Sequence, residues 1–318
     1  MPRHRALSWL ALFAIVGCDT GVYPRVEGDF DYSLYGVLNP RADTQAVVVI
    51  PIEATLEALS HSRSVTVTIS DDHGETHVLT DSLVVKEMGP VNVYWSEFRA
   101  EYGALYTVTA ADPESHRLSS AVVRVPPFTG VVLADPVFEF GVSQEIVLDG
   151  GLERLNFTEV VYEITARLPA AWRVYPVLVP GASEPVPVQP PASDSLVIQN
   201  LQVPISYVNR ELYSGSDWRI KVNYTQDLLE IIRRLRRRGR MDATFGVQLR
   251  GINFSAVAAN EEWAPPGNAF IKDELIQPGT LSNVTNGFGF IGAGYTIRHS
   301  YRLSDELLTR IGFRRPAR

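Results

Sequence analysis

The sequence predicts a mainly β protein of two β-sandwich-like domains, the first immunoglobulin-like, with one or two short helices in the second. Three observations predict it. Runs rich in Val, Thr, Ile and Tyr alternate with period two and recur at about the 8–12-residue spacing of a sandwich. The stretch FRAEYGALYTVTAADP (98–113) matches the corner that feeds a sandwich strand. In it Gly103 turns the chain, and Tyr106 buries its ring and returns its hydroxyl to backbone. Helical periodicity is convincing in one segment, DLLEIIRRLRRRGR (227–240).

The first residues belong to neither domain. Arg3, His4 and Arg5 form a basic leader, and Ala6 to Val16 carry no charge. That run is shorter than the ~20 residues a membrane-spanning helix needs, and it fits the apolar region of a signal peptide. It ends Leu12-Phe13-Ala14-Ile15-Val16-Gly17-Cys18, which resembles the lipobox of bacterial lipoproteins. The resemblance implies cleavage after Gly17, a diacylglycerol on the Cys18 thiol and a fatty acyl chain such as palmitate on the new amino terminus. The alternatives are an ordinary signal peptide or a buried apolar strand. Cys18 is the only cysteine, so no internal disulfide can form. Residues 1–17 therefore read as a lipoprotein signal peptide and 18–27 as a tether.

Residues 28–128 read as the first sandwich. Its strands are expected at 46–56, 64–70, 76–80, 91–95, 105–111 and 119–125. SDDHGET (70–76) is a hairpin tip, where Asp71 and Asp72 can bond nearby backbone and Gly74 can take positive φ. The antibody core cysteine is absent, with Val108 in its place. VPPFTGVVLADP (125–136) marks a boundary. The second β-rich domain, 132–300, has strands expected at 137–143, 145–151, 159–168, 172–179, 195–205 and 217–225. The stretch at 176–191 holds six prolines and reads as a surface loop, since proline lacks the ladder donor. In the helix near 227–238, Asp227 and Glu230 suggest a capping box, and Leu228, Ile231, Ile232 and Leu235 share a face. SAVAANEEW (255–263) suggests a second helix, and 301–318 a basic tail.

Composition excludes some functions. Without residues 1–17 the 29 basic residues lose Arg3 and Arg5, leaving 27 against 36 acidic, a net of −9. That argues against a general nucleic-acid binder. Gly287, Gly289 and Gly292 stand in G-x-G-x-x-G spacing, which a dinucleotide site needs between a strand and a helix. Here FGFIGAGYTIR alternates like a strand, so these glycines read as a structural motif that another backbone approaches closely. RRLRRRGR (233–240) is either a solvated helix face or a grip for an anionic partner such as lipid head groups. His73 and His77 share a hairpin with Asp71, Asp72 and Glu75, without the spacing of a known metal site. The sequons at Asn156, Asn223, Asn253 and Asn283 read as chance. No G-x-S-x-G or H-E-x-x-H motif is present, no cofactor is implied, and no enzyme is expected.

LSNVTNGFGFIGAGY (281–295), preceded by ANEEWAPPGN (259–268), resembles the C-terminal signature of a lipoprotein family of Bacteroidota and related bacteria. The family is known only as a domain of unknown function (forty-two forty-nine). The layout agrees over most of the mature chain: a lipobox, a sandwich-like first half ending near Pro126 and Pro127, and the glycine-rich finish. The proline-rich loop and the arginine helix depart from it. The resemblance implies a lipid-anchored envelope protein, often associated with TonB-dependent outer-membrane receptors, and it supplies no binding residues. The expected function is a non-catalytic accessory or ligand-binding lipoprotein that works with an outer-membrane transporter. The alternatives are a structural or adhesive spacer and a hydrolase with loop acids. An exposed aromatic patch with Trp172, Trp218 or Trp263 would favour binding, and two facing carboxylates in a cleft would favour the enzyme.

Overall fold

The computed structural model describes residues 30–52, 65–86, 89–114, 117–169, 196–207, 211–214, 217–237, 241–261, 263 and 282–314. The expected signal peptide, Cys18 and its tether, Trp172, the strand expected at 172–179 and the loop at 176–191 lie outside the described residues.

The chain is mainly β. Its first half supplies β1 (Tyr32–Leu38), β2 (Gln45–Pro51), β3 (Thr66–Asp71), β4 (Thr76–Val78), β5 (Thr80–Lys86), β6 (Gly89–Ser96), β7 (Leu105–Ala111) and β8 (Leu118–Arg124). There follow β9 (Gly130–Leu133), β10 (Ser143–Asp149), β11 (Arg154–Pro169), β12 (Leu196–Ser206), β13 (Glu211–Ser214) and β14 (Asp217–Asn223). Helix α1 (Tyr224–Arg237), β15 (Val247–Ala259), β16 (Val284–Thr285), β17 (Gly287–Tyr301) and helix α2 (Asp305–Ile311) complete the order. Among the described residues the strands form three sheets. One has eight strands in the order β12-β11-β15-β17-β1-β2-β6-β5, and the others run β13-β14-β10-β9 and β16-β8-β7-β3-β4.

Two apolar cores lie along the long sheet. In the first, Tyr32, Leu34 and Leu38 of β1 and Val47 and Val49 of β2 meet Val67, Ile69, Tyr106, Val108, Ala110, Ala121 and Val123 of the five-stranded sheet. Alternation produces this directly: β7 buries Tyr106, Val108 and Ala110 and turns Thr107 and Thr109 the other way. The Tyr106 hydroxyl accepts the Glu101 N–H at 2.9 Å, and Gly103 sits at φ +80°, as the corner predicts. The hairpin tip behaves as read. Asp71 Oδ1 accepts from the N–H groups of His73 and Glu75, and Gly74 has φ +92°. The second core joins β11, β12, β15 and the end of β17 to β10, β14, α1 and α2.

β17 serves both cores. Gly287–Ala293 pair in parallel with β1, and Gly294–Tyr301 pair antiparallel with β15. Ile291 and Ala293 enter the first core, and Tyr295 and Ile297 the second.

Several local expectations are corrected. The expected strand at 137–143 is a turn closed by a bridge between Val137 and Ser143. Positive φ at Phe140 and Gly141 bends it, and Phe140 is fully exposed. Most of the expected helix at 255–263 is instead the end of β15, which runs to Ala259: Phe254, Ala256 and Ala258 point into the core, and pairing with β11 and β17 on both sides overrides alanine's helical preference. Helix α1 begins before Asp227. Asn223 Oδ1 accepts the Gln226 N–H at 3.0 Å, the bond of an N-cap, so Asp227 is no cap. The expected tail contains α2, capped by Ser304 and ended by Gly312 at φ +99°, with Leu308, Ile311 and Phe313 buried. Strands β1, β5, β9, β13, the two-residue β16 and the first part of β15 are not expected from the sequence, β9 lying inside the expected boundary.

Candidate functional site

The outer face of the long sheet over β12, β11, β15 and β17 carries a polar groove. Along β11, Val160, Tyr162, Ile164 and Ala166 face the core, so Glu163 and Thr165 share the opposite face. On β12 the same alternation exposes Asn200 and Gln202, paired across from Thr165 and Glu163. Glu163, Asn200, Gln202, Arg250 and Arg302 line a groove of about 680 Å³.

A β-bulge shapes this groove. Glu163 pairs with Gly251, and the next residue, Ile164, pairs with Leu249, which leaves Arg250 as the extra residue. Bulges re-aim side chains in this way. Gly251 keeps the floor low, because a Cβ there would stand 3.2 Å from Glu163 Oε2. Glu163 Oε1 accepts from Asn253 Nδ2 at 2.8 Å, and Ser300 Oγ donates to Asn253 Oδ1 at 2.6 Å. Asn200 Oδ1 accepts from Thr165 Oγ1 at 2.8 Å. Nearby on the same face, burial pushes the Glu159 carboxyl up from its ordinary pKa.

Beneath the sheet lies a buried polar cluster that sequence reading misses. Asp227 accepts through one carboxylate oxygen, Oδ2, from the hydroxyls of Tyr162 and Tyr207. The Tyr224 hydroxyl donates to Gln144 Oε1 at 2.7 Å and lies 3.1 Å from the Tyr301 hydroxyl. Burial, reinforced by Asp227, pushes the Tyr162 phenol well above its ordinary pKa, and burial pushes Tyr301 up to about 12. The signal available was Asp227 itself, on the apolar stripe of α1. That cluster anchors α1 to the sheet and lies inside the second core.

The remaining candidates are placed as follows. Gly287 and Gly289 stand against β1: an added Cβ would lie 2.2 Å from the Tyr32 carbonyl oxygen and 2.1 Å from that of Leu34. Gly292 meets the rings of Trp263 and Phe290, each 2.6 Å from such a Cβ. All three lie within one 15-residue strand and not in a strand-to-helix turn. In α1, Leu228, Ile231 and Leu235 are buried. Arg233 and Arg234 pair with Glu230, whose carboxyl is held low by its hydrogen bond to Arg234. His77 stacks on Phe98 with ring centroids 3.9 Å apart, while His73 stays exposed. No group of three or more potential metal ligands occurs among the described residues. Trp218 donates to the Leu152 carbonyl, and Trp263 packs edge-on to Phe290. Neither forms an exposed aromatic patch. Among the described residues no helix is long and apolar enough to cross a membrane.

No protein-family model matches the chain, and no curated protein matches it. Among solved structures, a mutant of Salmonella alpha-2-macroglobulin aligns with 12% identity and a TM-score of 0.24. That alignment covers 86% of this chain and 14% of the other. The C-terminal domain of the Streptococcus agalactiae AgI/II polypeptide BspA aligns with 10% identity and a TM-score of 0.18, over 71% of this chain and 93% of that one. Likenesses this slight carry no inference about this chain.

Proposed function

We propose that the chain is a non-catalytic envelope lipoprotein, held to a membrane by acyl chains on Cys18, that presents the groove of the long sheet to a ligand. The observation that carries the anchor is the run Leu12 to Cys18, a short apolar segment ending in a small residue and the sole cysteine. Each buried methylene contributes about 0.8 kcal/mol, so one acyl chain holds weakly and two or more hold firmly. Topology supports the presenting role. The tether leads to β1, where Tyr32 pairs with Gly287 at the start of β17. Arg302 follows the end of that 15-residue strand. At about 3.3 Å per residue the groove lies roughly 50 Å along β17 from the Tyr32–Gly287 pair. Among the described residues the groove's lining brings one carboxylate, Glu163, whereas glycosidase chemistry needs two. That supports binding over hydrolysis.

The resemblance of residues 281–295 to the Bacteroidota lipoprotein family supports an outer-membrane location and a transporter partner. The test is Cys18→Ala in cells fed a labelled fatty acid. Wild-type protein should take up label and fractionate with membrane. The variant should lose the label and either accumulate as precursor or become soluble. Equal labelling of both would overturn the anchor.

A further inference from the structure

We propose that the groove takes an acidic saccharide, with a sugar carboxylate held by Arg250 and Arg302 and sugar hydroxyls meeting Glu163, Asn200 and Gln202. This rests on the reading of the groove as the binding face. Charge comes first. In this acidic chain several exposed arginines are paired: Arg99 with Asp43, Arg167 with Asp242, Arg219 with Glu145 and Arg310 with Glu306. Arg250 and Arg302 have no carboxylate or hydrogen-bond partner among the described residues, yet both line one groove. Guanidinium forks match carboxylates with paired, charge-assisted hydrogen bonds. The bulge at Glu163 is what brings Arg250 there as an extra residue.

The other groups narrow the ligand. Glu163 is fixed by Asn253, so it stands as a rigid acceptor beside the two cations. A compact dianion such as phosphate would meet that negative charge, whereas a sugar can offer it hydroxyl donors. Asn200 and Gln202, two apart on β12, project to the same side and offer amides to neighbouring hydroxyls. Among the described residues the lining contains no aromatic ring, so they give a neutral sugar no stacking platform. The volume, about 680 Å³, falls within the roughly 300–1,000 Å³ of small-ligand sites.

The test is titration calorimetry on the full chain in detergent with tri-galacturonate, maltotriose and inorganic phosphate as probes. Tri-galacturonate should bind, more weakly as salt rises. Maltotriose should not bind, and phosphate should bind far more weakly. Arg250→Ala and Arg302→Ala should each weaken tri-galacturonate about 10- to 100-fold with unchanged thermal unfolding, as expected for exposed side chains. Glu163→Gln should weaken it too. Absence of tri-galacturonate binding, wild-type affinity in the double arginine variant, or equal affinity for maltotriose would overturn the proposal. Phosphate binding as tightly as tri-galacturonate would reduce the groove to a bare anion site and equally overturn it, as would tighter binding by Glu163→Gln. Labelling of Cys18 is independent of these titrations, so failure of the ligand class and failure of the anchor are told apart.

Discussion

Replacing Gly289 by alanine should be among the most damaging single-methyl changes in this protein. Gly289 has φ +101°, and its new Cβ would lie 2.1 Å from the Leu34 carbonyl oxygen, 2.9 Å from its carbon and 3.1 Å from its nitrogen. All three atoms are backbone of β1, the neighbour in parallel register, so no side chain can swing aside. The positive φ costs a residue with a Cβ about 1–3 kcal/mol. Forcing the strands apart adds about 1–3 kcal/mol of overpacking. Together these give a loss of about 2–6 kcal/mol. Gly74 separates the two contributions: it has φ +92° and nothing within 4 Å of an added Cβ, so Gly74→Ala should cost only the conformational share. Both variants are to be unfolded in urea beside wild type, with slopes checked for constancy. The reasoning fails if Gly289→Ala loses no more stability than Gly74→Ala.

Other variants probe the second core and the corner. Asp227→Ala removes the carboxylate that accepts from Tyr162 and Tyr207. At about 1–3 kcal/mol for each stranded hydroxyl, urea unfolding should show a loss of about 2–6 kcal/mol, and Asp227→Asn, which keeps an acceptor oxygen, should lose less. Tyr106→Phe should cost about 1 kcal/mol in the same assay by deleting the acceptor of the Glu101 N–H. Stability should also fall in alkali. The Tyr301 phenol has an ordinary pKa of 10.0, pushed up to about 12 in the fold. Above pH 10 the unfolded chain sheds this proton while the folded chain keeps it. Its contribution is therefore intact below pH 10 and lost between 10 and 12. Tyr162 and Tyr224 are shifted the same way, and Tyr301→Phe should make the loss shallower in unfolding curves taken across that window.

Sequence made the β architecture legible wherever one strand face is buried and the other is wet. β7 is read to the residue, because the alternation over Leu105–Ala111 is uninterrupted. β15 escaped because it is paired on both sides and carries a run of small residues, and composition alone does not separate buried strand from helix there. The glycines at 287 and 289 were legible as a close approach, but the partner was not. A parallel contact between residues 32 and 287 is a long-range pairing that local pattern cannot announce. The groove was invisible for the same reason. Glu163, Arg250 and Arg302 look like ordinary surface charges until a bulge and two strand pairings bring them together. Asp227 stands near the start of an amphipathic run, where the sequence suggests a cap, and the opposing hydroxyls of Tyr162 and Tyr207, distant in sequence, account for its burial.

The central claim is that Cys18 carries the lipid that holds this body at a membrane. Its most direct test is mass spectrometry of the amino-terminal peptide of protein purified from its native membrane. The account predicts a chain beginning at Cys18, with a diacylglycerol on the thiol and, where a third chain is added, an acyl group on the amine. A mature amino terminus at another residue, or a Cys18 thiol recovered unmodified, would contradict it.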